Sequence, residues 1–174
     1  MQRKRFEDMT CPIARSLERV GEWWSMLILR DAFYGLTRFD EFQSSLGIAP
    51  NMLSRRLGAL VEAGLLERRR YSERPVRYEY VLTPRGLDFR PVLLSLMAWG
   101  SRHFAPEGIS LFLEDDRTGR AAEPVLVDAH TGAPITRERH LVRAGPAANE
   151  RMRARIESAH RRRAPDRHQT LSSH

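Results

Sequence analysis

Residues 36–82, LTRFDEFQSSLGIAPNMLSRRLGALVEAGLLERRRYSERPVRYEYVL, change their hydrophobic period midway, and that change decides the fold. Up to Ala63 the apolar residues recur at helical spacing; beyond Gly64 they alternate. Arg38–Leu46 reads as a short helix with Phe39, Phe42 and Leu46 facing inward, and Leu46-Gly47-Ile48 as the turn after it. Pro50–Ala63 is a longer helix that stops at Gly64. Its Leu53, Leu57, Leu60 and Val61 fall at i, i+4, i+7 and i+8, the stripe of a helix buried on one side. Leu65–Tyr71 and Val76–Leu82 then read as two strands about a tip at Ser72-Glu73-Arg74-Pro75. In the second, Val76, Tyr78, Tyr80 and Leu82 alternate with Arg77, Glu79 and Val81.

Upstream, Cys11-Pro12 opens a first helix running to about Val20, because proline fits the first helical position, where its missing N–H costs nothing. A second helix occupies Trp23–Tyr34, with Trp24, Leu27, Ile28 and Asp31 at i, i+3, i+4 and i+7, and Gly35 closes it. Downstream, Thr83-Pro84 starts another helix, with threonine as its N-cap. It carries Leu93, Leu96, Met97 and Trp99, ends near Gly100, and contains Pro91, which should kink or break it. Beyond Pro106 the pattern changes. Asp115-Asp116-Arg117-Thr118-Gly119 and Asp128-Ala129-His130-Thr131-Gly132 share D-x-x-T-G at a spacing of 13 residues. Apolar runs flank them at Leu111–Leu113, Val125–Val127 and Pro134-Ile135, so two tight turns joining three short strands are expected, glycine supplying the positive φ. From residue 146 the chain is rich in Arg, Ala and polar residues and reads as disordered or as a solvated helix.

The expected class is therefore mainly α with a small β-wing: a winged helix-turn-helix followed by a small β-rich C-terminal extension. Four segments follow: an N-terminal arm over 1–10, the winged-helix domain over 11–104, the extension over 105–145 and a basic tail over 146–174. Charge follows the same division. Residues 1–104 hold 17 basic and 12 acidic side chains (+5), residues 105–136 hold 2 and 6 (−4), and residues 137–174 hold 10 and 4 (+6). A basic body and tail favour nucleic acid or an anionic surface without choosing between them. Of 29 basic residues only Lys4 is lysine, a mark of GC-rich coding.

Other classes find little support. The hydrophobic content of 41% suits a globular chain, and no apolar run reaches the roughly 18 residues that span a bilayer. The basic N-terminus leads into Glu7 and Asp8 rather than an apolar stretch, unlike a secretory signal. The lone Cys11 excludes an internal disulfide and fits a reducing cytosol, so a cytoplasmic, membrane-free location is expected. No cofactor or metal is expected. The six histidines (103, 130, 140, 160, 168, 174) show no H-E-x-x-H spacing, and there is no phosphate loop or G-x-S-x-G elbow, which argues against an enzyme. Asp115, Asp116 and Asp128 lack the calcium-loop pattern.

With the apolar stripe of Pro50–Ala63 turned inward, 100° per residue puts Asn51, Arg55, Gly58 and Ala59 on the opposite face. Met52 lies beside them, with Ser54 and Arg56 at the margins. Arginine can fork onto a guanine edge and asparagine can pair with adenine. Gly58 and Ala59 keep the helix thin enough to enter a major groove about 12 Å wide. The alternative is a solvated helix face. The wing adds Arg68, Arg69, Arg70, Arg74 and Arg77, five like charges whose mutual repulsion phosphates would relieve, with Arg38 on the flank. Tyr71 and Tyr78 read as packing residues rather than stacking platforms. Double-stranded DNA is the partner these features imply; a protein-interaction module is the rival reading.

Several blocks carry a resemblance. Cys11-Pro12, the run Val20-Gly21-Glu22-Trp23-Trp24-Ser25-Met26-Leu27-Ile28-Leu29-Arg30-Asp31, Arg38-Phe39-Asp40-Glu41-Phe42 and Met52-Leu53-Ser54-Arg55-Arg56-Leu57 follow in order. So do Gly64-Leu65-Leu66, Arg77 to Thr83, Pro91 and Trp99-Gly100. Over about residues 8–104 the chain resembles the HxlR family of winged-helix regulators, related to the MarR type. The resemblance implies a homodimer built from the terminal helices, with Leu17, Leu93, Leu96 and Trp99 as candidate interface residues. It also implies a pseudo-palindromic operator and, mostly, repression. Two positions depart: Trp23 stands where the family has a basic residue, and Ala49 where Ser or Thr caps the reading helix. Losing that cap costs about 1 kcal/mol.

The family often senses electrophiles or oxidants through a cysteine just before the first helix, where Cys11 lies. A thiol at a helix N-terminus, with Arg15 one turn on and Arg3 to Arg5 nearby, favours thiolate. A small buried gap-filler is the alternative reading. With one cysteine, an intersubunit disulfide or a mixed adduct remains. The competing trigger is a small-molecule pocket between helical arm and body, lined by Trp23, Trp24, Phe33 and Trp99, although aromatics at helical spacing more often form core.

Overall fold

A computed structural model describes residues 11–163. Among them the elements run α1 (Pro12–Val20), α2 (Trp23–Phe33), α3 (Phe39–Leu46), α4 (Pro50–Glu62), β1 (Leu66–Glu73), β2 (Val76–Leu82), α5 (Pro84–Leu87), α6 (Arg90–His103), β3 (Leu113–Asp115), β4 (Arg120–Ala122) and α7 (Glu150–Arg163). This is the winged-helix order expected from the periodicity. The chain divides into two compact units, one of Arg19–Leu126 and one combining the residues up to Glu18 with those from Val127 on. None of the described helices is long and apolar enough to cross a membrane.

In the Arg19–Leu126 unit the core gathers Val20, Ile28, Leu29, Phe42, Ile48, Leu53, Leu57, Leu60, Leu65 and Leu66. The inward stripe of α4 is as expected: Leu53, Leu57 and Leu60 are fully buried and Val61 partly. Each such leucine contributes on the order of 2 kcal/mol. In α2 the expected stripe is incomplete, because Leu29 is buried as deeply as Ile28. The reason is position. α2 packs on α3 and α4 and also on α6, and a helix enclosed on several sides is apolar all round.

β1 and β2 pair antiparallel from Leu66↔Leu82 to Glu73↔Val76, with an irregularity at Tyr71. β1 runs two residues past the expected Tyr71, and the tip shrinks to Arg74-Pro75, joined by a cis peptide bond. The sequence also hides a third partner. Arg38 bridges to Glu79, and the Tyr80 N–H donates to the Thr37 carbonyl at 2.7 Å, tying the wing to the start of α3.

The joint after the wing is tightly made. The Thr83 hydroxyl donates to the Gly64 carbonyl at 2.6 Å and accepts the Gly86 N–H at 3.0 Å, the expected N-cap. Arg85 donates to the Ala63 carbonyl at 2.9 Å, placing a cation on the C-terminus of α4. Of the two effects expected of Pro91, the break is what occurs: α5 ends at Leu87 and α6 starts at Arg90, with Pro91 in its first turn. Proline begins the second piece rather than kinking one long one, since a first-turn N–H has no helical partner to lose. α6 then continues through Gly100 to His103.

Both D-x-x-T-G turns form and are built alike. In the first, the Asp115 carbonyl accepts the Gly119 N–H at 2.8 Å and its carboxylate accepts the Arg117 N–H at 2.9 Å. In the second, the Asp128 carbonyl accepts the Gly132 N–H at 2.8 Å and its carboxylate the His130 N–H at 2.9 Å. Gly119 and Gly132 have φ of 64° and 66°, the left-handed region that glycine enters freely. The His130 N–H and then the Thr131 hydroxyl hold the Asp128 carboxyl below the usual range. The expected run of three joined strands is not what these turns make. The first closes β3 on β4, the second closes only a Val127–Pro134 bridge, and the two lie in different units. Pro124, with no N–H to donate, stops the ladder beyond Ala122. In the other unit, of the two readings of the tail, a solvated helix holds over α7, where the Asn149 side chain accepts the Met152 N–H at 2.9 Å as its cap. The arm over 1–10 and the last residues of the tail lie outside the described residues.

Candidate nucleic-acid interface

α4 presents Asn51, Ser54, Arg55 and Gly58 to solvent while its leucines hold it to the core. Ala49 caps it without a side-chain hydrogen bond, and Pro50 supplies the first helical position, so its leading N–H groups are left to an outside acceptor. Arg55 is exposed, with one guanidinium nitrogen resting on the Met52 sulfur at 3.1 Å. Met52 is half-buried against the core, which makes it mainly a packing residue.

Arg56 requires correction. It does not face outward at the margin: its side chain is 13% exposed and binds Glu22, at the N-cap of α2, at 2.8 Å. One residue beyond Arg55 the helix has turned 100°, which aims Arg56 at α2. It ties α4 to the start of α2. Sequence reading missed Glu22, since a partner 34 residues away leaves no local signal.

The wing also divides its arginines. Residues opposed across the ladder share a face, so Arg68 and Arg70 lie with Tyr80 and Tyr78, and Arg69 lies with Glu79. Arg68 sits 3.5 Å from the centroid of the Tyr78 ring, Arg69 pairs with Glu67, and Arg70 pairs with Glu73. The argument that five like charges need phosphates is therefore too strong, because three of them find partners inside the hairpin. Arg74 and Arg77 are exposed and, among the described residues, form no ion pair. Tyr71 and Tyr78 serve as packing surfaces for cations, with Arg38 4.9 Å from the Tyr71 ring.

Arg38 caps α3, where the Glu41 carboxylate accepts the N–H groups of Arg38 at 2.8 Å and Thr37 at 2.9 Å. Those two bonds, Arg38 first, hold the Glu41 carboxyl below its ordinary value. The stabilisation is therefore present above the ordinary carboxylate range and is lost as pH falls through the lowered pKa. An acid three residues past a helix cap was a legible signal.

On α6, Leu96 (45% exposed) and Trp99 (52%) stand outward, while Leu93 is half-buried and packs partly against the core. Val92, missed in the sequence, joins them at i, i+4 and i+7. Leu17 is exposed on α1 in the other unit, as is its neighbour Ile13. Cys11, directly before α1, is half-buried. The four aromatics of the expected pocket take different places: Trp23 and Trp99 are open to solvent, Trp24 packs on the core, and Phe33 lines a cavity.

A helix-turn-helix packed into a helical core and followed by an anchored hairpin defines a winged helix-turn-helix protein of the transcription-regulator class, which is not enzymatic. Residues 19–108 match the HxlR-like helix-turn-helix family, and the chain belongs to it. It is 42% identical over 143 residues to an HTH-type transcriptional regulator of Mycobacterium tuberculosis, covering 82% of this chain and 89% of that one. It is similar to a solved structure described as a transcription factor from Pseudomonas aeruginosa, with 60% identity, a TM-score of 0.60, and coverage of 83% and 99% of the two chains. The redox regulator HypR in its reduced form superposes with a TM-score of 0.51 at 29% identity, over 53% of this chain and 92% of that one.

Proposed function

We propose that the chain is a cytoplasmic homodimeric repressor that binds a pseudo-palindromic site in double-stranded DNA, reading it with α4 and gripping its backbone with the wing. The observation that carries this reading is the outer face of α4. Asn51, Ser54 and Arg55 are exposed on a helix thinned at Gly58, while Arg74 and Arg77 stand unpaired among the described residues on the adjoining hairpin. Polar readers with flanking cations are what a major groove requires.

The test compares two substitutions on a selected duplex and on random duplexes. Arg55→Ala should weaken the selected site by about 1–3 kcal/mol, roughly fivefold to 150-fold, and leave random duplex nearly unchanged. Arg77→Ala should weaken both alike. If Arg55→Ala acts equally on both duplexes, α4 is not the reader. Retained partner-protein binding with no affinity for any duplex would favour an interaction module instead.

The likeness to a redox regulator, together with Cys11 directly before α1, supports release by oxidants or electrophiles through an intersubunit disulfide or mixed adduct. Diamide should lower duplex affinity of the wild-type protein at least fivefold and leave Cys11→Ser unaffected. An equal response of both proteins removes Cys11 from the mechanism.

A further inference from the structure

A cavity of about 470 Å³ lies between α2, α6 and the segment 111–113 of the Arg19–Leu126 unit, within the range of about 300–1,000 Å³ typical of small-molecule sites. Leu27 and Phe33 line it from α2, Leu94 and Met97 from α6, and Leu111 and Phe112 from the segment leading into β3. No acidic side chain lines it; its charged members are Arg30 and Arg90. Arg30 is already committed, since two of its nitrogens bind the buried Asp31 carboxylate at 2.7 and 2.8 Å. Arg90 is exposed and, among the described residues, has no ion pair. The chamber thus combines an apolar interior with one uncompensated positive charge.

We propose that this cavity binds a hydrophobic monocarboxylate as an effector. The carboxylate meets Arg90, with Arg30 beside it, and the apolar body fills the space between Leu27, Phe33, Met97 and Phe112. A dianion would exceed the available charge, and an uncharged hydrocarbon would leave it unused. The third wall supports a bound occupant. Leu111 and Phe112 are 52% and 62% exposed, and apolar side chains set side by side around a concavity gain by being covered. That wall lies beyond the residues 19–108 shared with the family, so the chamber is a property of chains extended in this way.

α2 connects the chamber to the reading helix. Leu27 and Phe33 face the cavity while Ile28 and Leu29 of the same helix enter the core, and Glu22 at its start holds Arg56 of α4. An occupant that wedges α2 away from α6 therefore displaces α4 as well. Only this output rests on the DNA-binding reading; occupancy of the cavity does not.

The test titrates the full chain calorimetrically with 1-naphthoate and with uncharged 1-naphthalenemethanol, beside Arg90→Gln and Phe112→Ala. Arg90 is the better probe because replacing Arg30 strands a buried carboxylate. Thermal melts confirm that both variants are folded. Naphthoate should bind one per chain, Arg90→Gln should weaken it at least tenfold without changing the alcohol, and Phe112→Ala should weaken both about fivefold. No saturable binding, or full affinity in Arg90→Gln, overturns the site. Leu96 belongs both to the cavity lining and to the exposed stripe of α6, so a second copy is the rival occupant. Binding only by a monomeric Trp99→Glu variant, whose substitution lies outside the cavity lining, would favour that rival and overturn the proposal. Naphthoate binding that leaves duplex affinity unchanged overturns the effector role. A wild-type chain that binds naphthoate but no duplex overturns the DNA-binding reading and leaves the cavity standing.

Discussion

Gly86→Ala should destabilise the protein by about 3 kcal/mol or more, the upper part of the range for overpacking. A Cβ at this buried position would lie 2.1 Å from the Leu65 carbonyl oxygen and 3.1 Å from Leu82 Cδ2. The obstacle is backbone, which cannot rotate aside. Nor can α5 retreat, because Thr83 is bonded to Gly64 and its N–H to Leu65 at 3.1 Å, while Arg85 holds Ala63. A drop in melting temperature of roughly 6–12 °C is expected for a chain of this size. Gly100→Ala is the control. It lies within α6 with nothing within 4 Å of the added methyl, so the same change should stabilise by up to about 1 kcal/mol. Equal melting temperatures for the two variants would refute the steric argument.

Leu96→Glu combined with Trp99→Glu should convert a dimer into a monomer and reduce affinity for a two-half-site duplex by about 100-fold or more, because linked binding adds that much over a single contact. Both side chains stand exposed on α6, and Val92 extends their stripe. Sedimentation equilibrium gives the assembly state and fluorescence anisotropy the affinity. Affinity for a single half-site should be unchanged, since α4 and the wing are untouched. A variant that still sediments as a dimer would show that copies associate through another surface.

The fold was legible where one periodicity acted alone. Leu53, Leu57 and Leu60 announced α4, and Thr83-Pro84 announced the start of α5. It was less legible where an element serves two neighbours, as α2 does, with apolar residues on several sides and no single stripe. The break between α5 and α6 was ambiguous because proline inside a helical pattern fits a kink and a new first turn equally well. On α4, the exposure of Asn51 and Arg55 was legible because an exposed face is the complement of a buried one. Arg56 was misplaced because its partner is distant in sequence. The D-x-x-T-G turns were correct in themselves; what they joined depended on Pro124, whose effect on pairing is felt only in three dimensions.

The wing's internal pairs change what its arginines bring to DNA. When phosphate meets Arg69 or Arg70, it takes the place of a carboxylate, Glu67 or Glu73, that was already there. That is an exchange of anions: the paired arginine and carboxylate together bring no net positive charge to displace the cations condensed on the duplex. Arg74 and Arg77 approach the duplex uncompensated, and so does Arg68, whose partner is the uncharged Tyr78 ring. The salt dependence of binding should thus record about three phosphate contacts per wing, a log–log slope near −2.7 from each hairpin rather than the roughly −4.5 that five arginines suggest.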